Sequence, residues 1–195
     1  PRDRPAVRRA SRRSTSSGVL RPRTAAIAVA DAITLPSPPR GERWVAMFQN
    51  EIPPAVTEPL IARADAAGHT VIWNIAPTIE ARPSPATLAA VDFLVCNRNA
   101  LLALTGSAHD SPAAVEDLAR IPLGWGVANL VVTLGREGSL WVSAAGTVRQ
   151  AAFRVEAVDT VGAGDCFCGV FAAGLAEGRA TREALRRASA AAAVS

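Results

Sequence analysis

The sequence predicts an α/β protein in three layers, a largely parallel sheet flanked by helices. Two observations carry this expectation. From Trp44 onward, short apolar runs of strand length alternate with helix-like segments, the order that a parallel sheet covered by helices requires. The apolar runs also end on polar residues or glycine, at Gln49, Asn74, Asn97 and Gly135. Ligands of such sheets bind outside the carboxyl ends of the strands, so these endings mark one edge of the molecule as the place to look. A chain of 195 residues that is 49% hydrophobic and 19% charged is long enough to bury one ordinary core.

The elements follow in order. Residues 44–48, WVAMF, form a short apolar strand. Residues 53–68 read as a helix stopped by Gly68, with Pro59 poorly placed inside it. TVIWN at 70–74 and DFLVCN at 92–97 are strands with polar ends, and ALLAL at 100–104 is a short helix stopped by Gly106. Residues 111–120 predict a helix with Ser111 as N-cap and Pro112 in its first position. ANLVVTLG at 128–135 is a buried strand, and residues 139–150 resemble a hairpin. Two Ala-rich helices close the chain, at about 164–177 and 181–193.

Residues 1–43 are different. They hold ten Arg against three acids, a net of +7, whereas residues 44–195 carry a net of −3. The segment is rich in Arg, Ser and Pro without an amphipathic period, apart from one strand-like stretch at 24–35, and reads as a basic, disordered arm outside the folded domain. An organelle transit peptide or a nucleic-acid-binding arm fits the charge alone; Pro5 and Pro22 argue against the first, and the lack of interleaved aromatics against the second. Cys96, Cys166 and Cys168 contain no C-x-x-C, which argues for reduced thiols in the cytoplasm over disulfides or zinc. His69 and His109 stand in unrelated contexts, and no apolar run reaches the roughly 18 residues of a membrane span.

The chemistry concentrates in DTVGAGDCFCG, residues 159–169. Gly162 and Gly164 let the backbone expose its N–H groups, and the residues after them read as a helix. The loop is thus a helix N-terminus, where unpaired N–H groups and the dipole attract phosphate. Asp165 in the first turn is placed to take a proton from a hydroxyl attacking a phosphoryl group. Spacing alone equally allows Asp165 to be a plain helix cap. A Walker A loop is excluded, because it needs a lysine and the chain has none.

These residues carry a resemblance. DTVGAGDCF is similar to the second signature of the ribokinase-like (PfkB) family of carbohydrate and nucleoside kinases. FQNEI resembles the family's Gln-x-Glu strand end, WNIAPT its Asn-Pro-Ala-Pro segment, CNRNALLALTG its Asn-x-x-Glu helix leading to Leu-Thr-Gly, and VVTLGREG its nucleotide-binding strand and turn. The resemblance runs from about Trp44 to Ser195. It implies ATP-dependent phosphate transfer to a sugar hydroxymethyl group, with Asp165 as general base and Gly162, Ala163 and Gly164 as the anion hole. It places Asn97, Thr133, Gly135 and Gly138 at the nucleotide with Mg2+, Glu51 near the sugar, and Asp159 and Thr160 at a monovalent cation, usually K+. Within the family, Gln49, Glu51 and residues 74–77 point toward ribokinase, ahead of fructokinases and nucleoside kinases.

Three departures qualify what this chain can do. The Asn-x-x-Glu pattern becomes Asn97-Arg98-Asn99-Ala100, so a glutamate that orders the magnesium shell is missing. The family's N-terminal sugar-binding half and lid strands, through which its members form homodimers, have no counterpart in residues 1–43, and the final C-terminal segment is not reached. The expectation is a truncated ribokinase-like domain over 44–195 without a lid, either an active sugar kinase or a catalytically impaired relic that still binds nucleotide or sugar.

Overall fold

The computed structural model describes residues 33–79, 82–108, 114–155 and 162–195. Of the disordered arm expected over residues 1–43, residues 1–32 lie outside them, as do the N-cap role of Ser111 with Pro112, and His109, Asp159 and Thr160. In the described remainder of that arm, Leu35 packs against the core and the Pro36 carbonyl lies 2.8 Å from His69 Nε2. In chain order the elements are β1 (Val45–Gln49), α1 (Pro54–Ala66), β2 (Thr70–Asn74), α2 (Pro85–Ala89), β3 (Phe93–Asn97), α3 (Arg98–Thr105), α4 (Val115–Arg120), β4 (Asn129–Thr133), β5 (Ser139–Ser143), β6 (Gly146–Gln150), α5 (Ala163–Ala176) and α6 (Thr181–Val194). Short 3-10 turns occupy Pro122–Trp125 and Gly135–Glu137.

One sheet of six strands runs β1-β2-β3-β4-β5-β6 in spatial order. The first four strands are parallel, and β5 and β6 complete it as an antiparallel hairpin. The period-two alternation of each strand divides the core into two layers. Val71, Trp73, Leu94, Cys96, Leu130 and Val132 point to one face, where they pack with Ile61, Leu88, Leu101 and Leu118 of α1 to α4. Ile72, Phe93, Val95 and Val131 point to the other and meet Phe167, Phe171, Leu185 and Ala188 of α5 and α6. Phe171 is fully buried, edge-on to Phe93 at 5.3 Å and stacked with Phe167 at 6.1 Å. The three-layer expectation holds.

The helix expected over residues 53–68 forms despite Pro59, because Leu60, Ile61 and Ala64 are buried against the sheet and that burial outweighs one lost backbone bond. One local expectation is corrected. The helix expected from Pro112 begins at Val115, because Ala114 is extended (φ −61°, ψ 141°) and cannot continue a helix started upstream. The sequence reading also passed over α2, whose cap is Ser84, with Oγ accepting the Thr87 N–H at 3.1 Å. Strand β1 is the edge on its side, and beside it Met47 and Ile52 remain 42% and 46% exposed.

Candidate active site

Strand parity builds the floor of the site. Gln49, Asn74, Asn97 and Thr133 are the last residues of the four parallel strands. Register pairs Gln49 with Asn74 and Asn97 with Thr133. Each lies an even number of residues from a side chain facing α5 and α6, namely Val45, Ile72, Val95 and Val131. All four polar ends therefore project from one face, at one edge, beneath the start of α5.

Helix α5 brings its N-terminus over that floor. Gly162 is its N-cap at φ 82°, a left-handed conformation suited to glycine, and no side chain bonds to the cap. The first backbone bond runs from the Cys166 N–H to the Gly162 carbonyl at 2.9 Å. The N–H groups of Ala163, Gly164 and Asp165 thus precede the hydrogen-bonded ladder, and the dipole makes them an attractive end for an anion. Asp165 is the third residue of α5 and not its cap, which removes the plain-cap alternative. Its Oδ1 instead accepts a hydrogen bond from Gln49 Nε2 at 3.0 Å.

Together these groups enclose a cavity of about 220 Å³, lined by Asn74, Ala76, Val95, Asn97, Thr133, Gly162, Gly164, Asp165 and Cys168. The structure thus gathers Asn97, Thr133, Gly162, Gly164 and Asp165 from the predicted set. Ala163 is the first residue of α5 beside them but does not line the cavity. Glu51, Gly135 and Gly138 do not line it either. Glu51 is exposed two residues beyond β1, while Gly135 and Gly138 form the turn after β4, closed by a bond from the Leu134 N–H to the Gly138 carbonyl at 2.8 Å. Asn74 was visible as a strand end and, with Ala76, inside the segment at residues 74–77 that carries part of the resemblance. Val95 and Cys168 were missed, although Cys168 stands three residues after Asp165 and so shares its helix face.

Two neighbouring features tune the site. Burial, with the Asp165 carboxylate adding to it, pushes the Cys168 thiol up to about 12. Burial alone does the same to Cys96. Both stay protonated at neutral pH, so neither serves as a thiolate nucleophile. Asn97 caps α3 by accepting the Ala100 N–H on Oδ1 at 2.8 Å, which leaves its amide NH2 as a donor. Arg98 turns to Glu137 at 2.5 Å and ties the start of α3 to the Gly135–Glu137 turn. Arg149 joins this exposed cluster through Glu137 at 3.9 Å and also holds Glu116 at 2.7 Å, a hydrogen bond that keeps the Glu116 carboxyl below its ordinary value.

The donor set suits a phosphate better than a bare metal ion. Among the described residues Asp165 is the one carboxylate lining the cavity, and Ala100, at the position of the expected glutamate, is a buried methyl with 1% exposure. Among the described residues no group of three or more His, Cys, Asp or Glu could hold a metal. That arrangement still accommodates Mg2+ arriving with a nucleotide, since this ion keeps several waters and binds mainly through phosphates and one or two carboxylates.

A largely parallel sheet with polar strand ends, a glycine-capped helix over them and an aspartate in its first turn make an α/β domain whose open helix N-terminus suits an anion. The chain belongs to the PfkB family of carbohydrate kinases, whose profile matches residues 25–195. That match begins inside the segment set apart by composition. The chain is 39% identical over 105 residues to a deoxyribokinase of Salmonella typhi, covering 54% of this chain and 34% of that protein. It is 34% identical over 144 residues to a ribokinase of Schizosaccharomyces pombe, covering 71% and 44%. The structure of Arabidopsis thaliana ribokinase complexed with ribose and ATP superposes with a TM-score of 0.70 at 28% identity, covering 76% of this chain and 48% of that one. The chain therefore spans between a third and a half of the length of these relatives.

Proposed function

We propose that the chain carries the phosphate-binding and base-bearing part of an ATP-dependent sugar kinase, with ribose as the preferred acceptor. The observation that supports this most is the placement of Asp165, a carboxylate in the first turn of a helix whose leading N–H groups are open, on a cavity floored by polar strand ends. Glu51 and residues 74–77 favour ribose by resemblance, as do the names of the yeast and plant relatives.

In this reading Asp165 takes the proton of the sugar hydroxymethyl group as its oxygen bonds to the γ-phosphorus. The bond from phosphorus to the bridging oxygen breaks, and ADP leaves with that electron pair. The N–H groups of Gly162, Ala163 and Gly164 face the charge on the transferring group and stabilise it. Thr133 and the Asn97 amide donate toward the phosphates, and the turn at Gly135 and Gly138 supports the nucleotide. Mg2+, held with the phosphates near Asn97 and Asp165, would supply neutralising charge. K+ at Asp159 and Thr160 rests on the resemblance, as does a cytoplasmic location. No helix among the described residues is long and apolar enough to cross a membrane.

Ala100 favours a second reading, a protein that binds nucleotide or sugar without turnover, because a methyl cannot order the metal's water shell. ADP release measured with Mg-ATP and D-ribose, 2-deoxy-D-ribose, fructose or adenosine separates the two. The kinase reading expects turnover above background with one acceptor, highest for ribose. No turnover with any of them, from a sample folded by circular dichroism, overturns it in favour of the binding protein.

A further inference from the structure

We infer that Gln49 is a positioning residue for Asp165, an inference that rests on the reading of Asp165 as the base. Gln49 Nε2 donates to Asp165 Oδ1 at 3.0 Å across 116 residues of sequence. The bond occupies one carboxylate oxygen and fixes the plane of the group. Oδ2 is then the oxygen left to take the proton of an acceptor hydroxyl, with no further change in the transfer chemistry. The next residue holds Gln49 in place even though β1 is an edge strand. Asn50 accepts the Trp73 indole N–H on Oδ1 at 2.9 Å and donates from Nδ2 to the Pro77 carbonyl at 3.0 Å, and its backbone N–H donates to the Ala76 carbonyl at 3.2 Å. Trp73 is fully buried, so the end of β1 is anchored to the core. Asp165 itself is exposed, and among the hydrogen bonds of the described side chains the one from Gln49 is what its carboxylate receives. Without it, the side chain is free to sample its staggered rotamers, and misplacing a reacting group by about 1 Å can cost roughly 100-fold in rate.

The test compares the native chain with Gln49→Met, which keeps the length and loses the donor, and Gln49→Glu, which keeps the shape and sets a second carboxylate against Asp165. Side-chain couplings and the 13Cγ resonance of Asp165 report its rotamer, and steady-state kinetics with Mg-ATP and ribose report kcat and KM separately. One Asp165 rotamer is expected in the native chain and averaging in both variants. The kcat should fall about 10- to 100-fold in Gln49→Met and further in Gln49→Glu, with both KM values within about twofold. A merely structural role would move KM or folding and would treat the isosteric Glu as the milder change. An unchanged Asp165 rotamer in both variants overturns the inference, as does averaging without loss of kcat. Averaging in the variants of a chain that shows no turnover upholds the positioning and defeats the base reading instead.

Discussion

Asp165→Asn is expected to lower phosphate transfer about 10²- to 10⁴-fold, the usual contribution of a positioned general base. Asparagine has the same shape and keeps an oxygen that can accept the Gln49 N–H, so the helix start and the cavity should persist. It cannot take a proton from the acceptor. Nucleotide affinity should hold or rise slightly, because a negative charge leaves the neighbourhood of the phosphates. Single-turnover measurements with saturating Mg-ATP and ribose check this, with a parallel binding titration. A variant within about threefold of the native rate, or one that loses nucleotide binding along with transfer, would show Asp165 to be something other than the base.

The second large effect is on stability. Gly138 has φ 94°, and a Cβ built there would lie 2.0 Å from the Gln150 carbonyl oxygen and 2.6 Å from the Ala152 nitrogen. Both are backbone atoms at the end of β6, so no side chain can move aside. Gly138→Ala is expected to cost about 3–5 kcal/mol, from backbone strain and overpacking together, and to lower the melting midpoint by roughly 10 °C or more. Gly178 provides the control, since it has φ 74° with nothing within 4 Å of its would-be Cβ. Gly178→Ala should therefore cost only the strain, about 1–2 kcal/mol. Equal melting temperatures for the two variants would mean that the contact between the Gly138 turn and the end of β6 is not tight. Because the same turn borders the expected nucleotide position, Gly138→Ala should also weaken ATP binding in whatever fraction remains folded.

What the sequence revealed depended on how local each signal was. The strands were legible because each is a compact apolar run closed by a polar residue, and α5 and α6 begin and end within about a residue of their expected limits. The hairpin of β5 and β6 lies where residues 139–150 were read as one. Short elements escaped. Helix α2 has five residues and no amphipathic period to announce it. Helix α4 starts later than its Ser-Pro signal, since Ala114 takes an extended conformation. The helix through Pro59 was read correctly, and the tertiary burial of Ile61 and Ala64 outweighs the proline's local cost.

The site divides along the same line. Asp165 and the glycines before it form one contiguous motif, so the sequence alone singled them out. Asn97 came as a strand end and Thr133 through the resemblance, and the register of β3 with β4 then put them side by side. The bond between Gln49 and Asp165 joins residues 116 apart, and no spacing rule links them. Arg98, beside Asn97 in the sequence, is committed to Glu137 and does not line the cavity. Ala100 kept its significance, because its burial leaves no carboxylate at that point of α3.

The central claim is that the start of α5 and the ends of β2, β3 and β4 form one phosphate site. An amide-resolved NMR titration of the native chain with Mg-ATP tests it without requiring turnover. Saturable shifts are expected to concentrate at Gly162, Ala163, Gly164 and Asp165, accompanied by Asn97, Thr133 and the turn at Gly135 and Gly138. Saturable shifts that leave those amides untouched, or none at millimolar nucleotide from a folded sample, would contradict it.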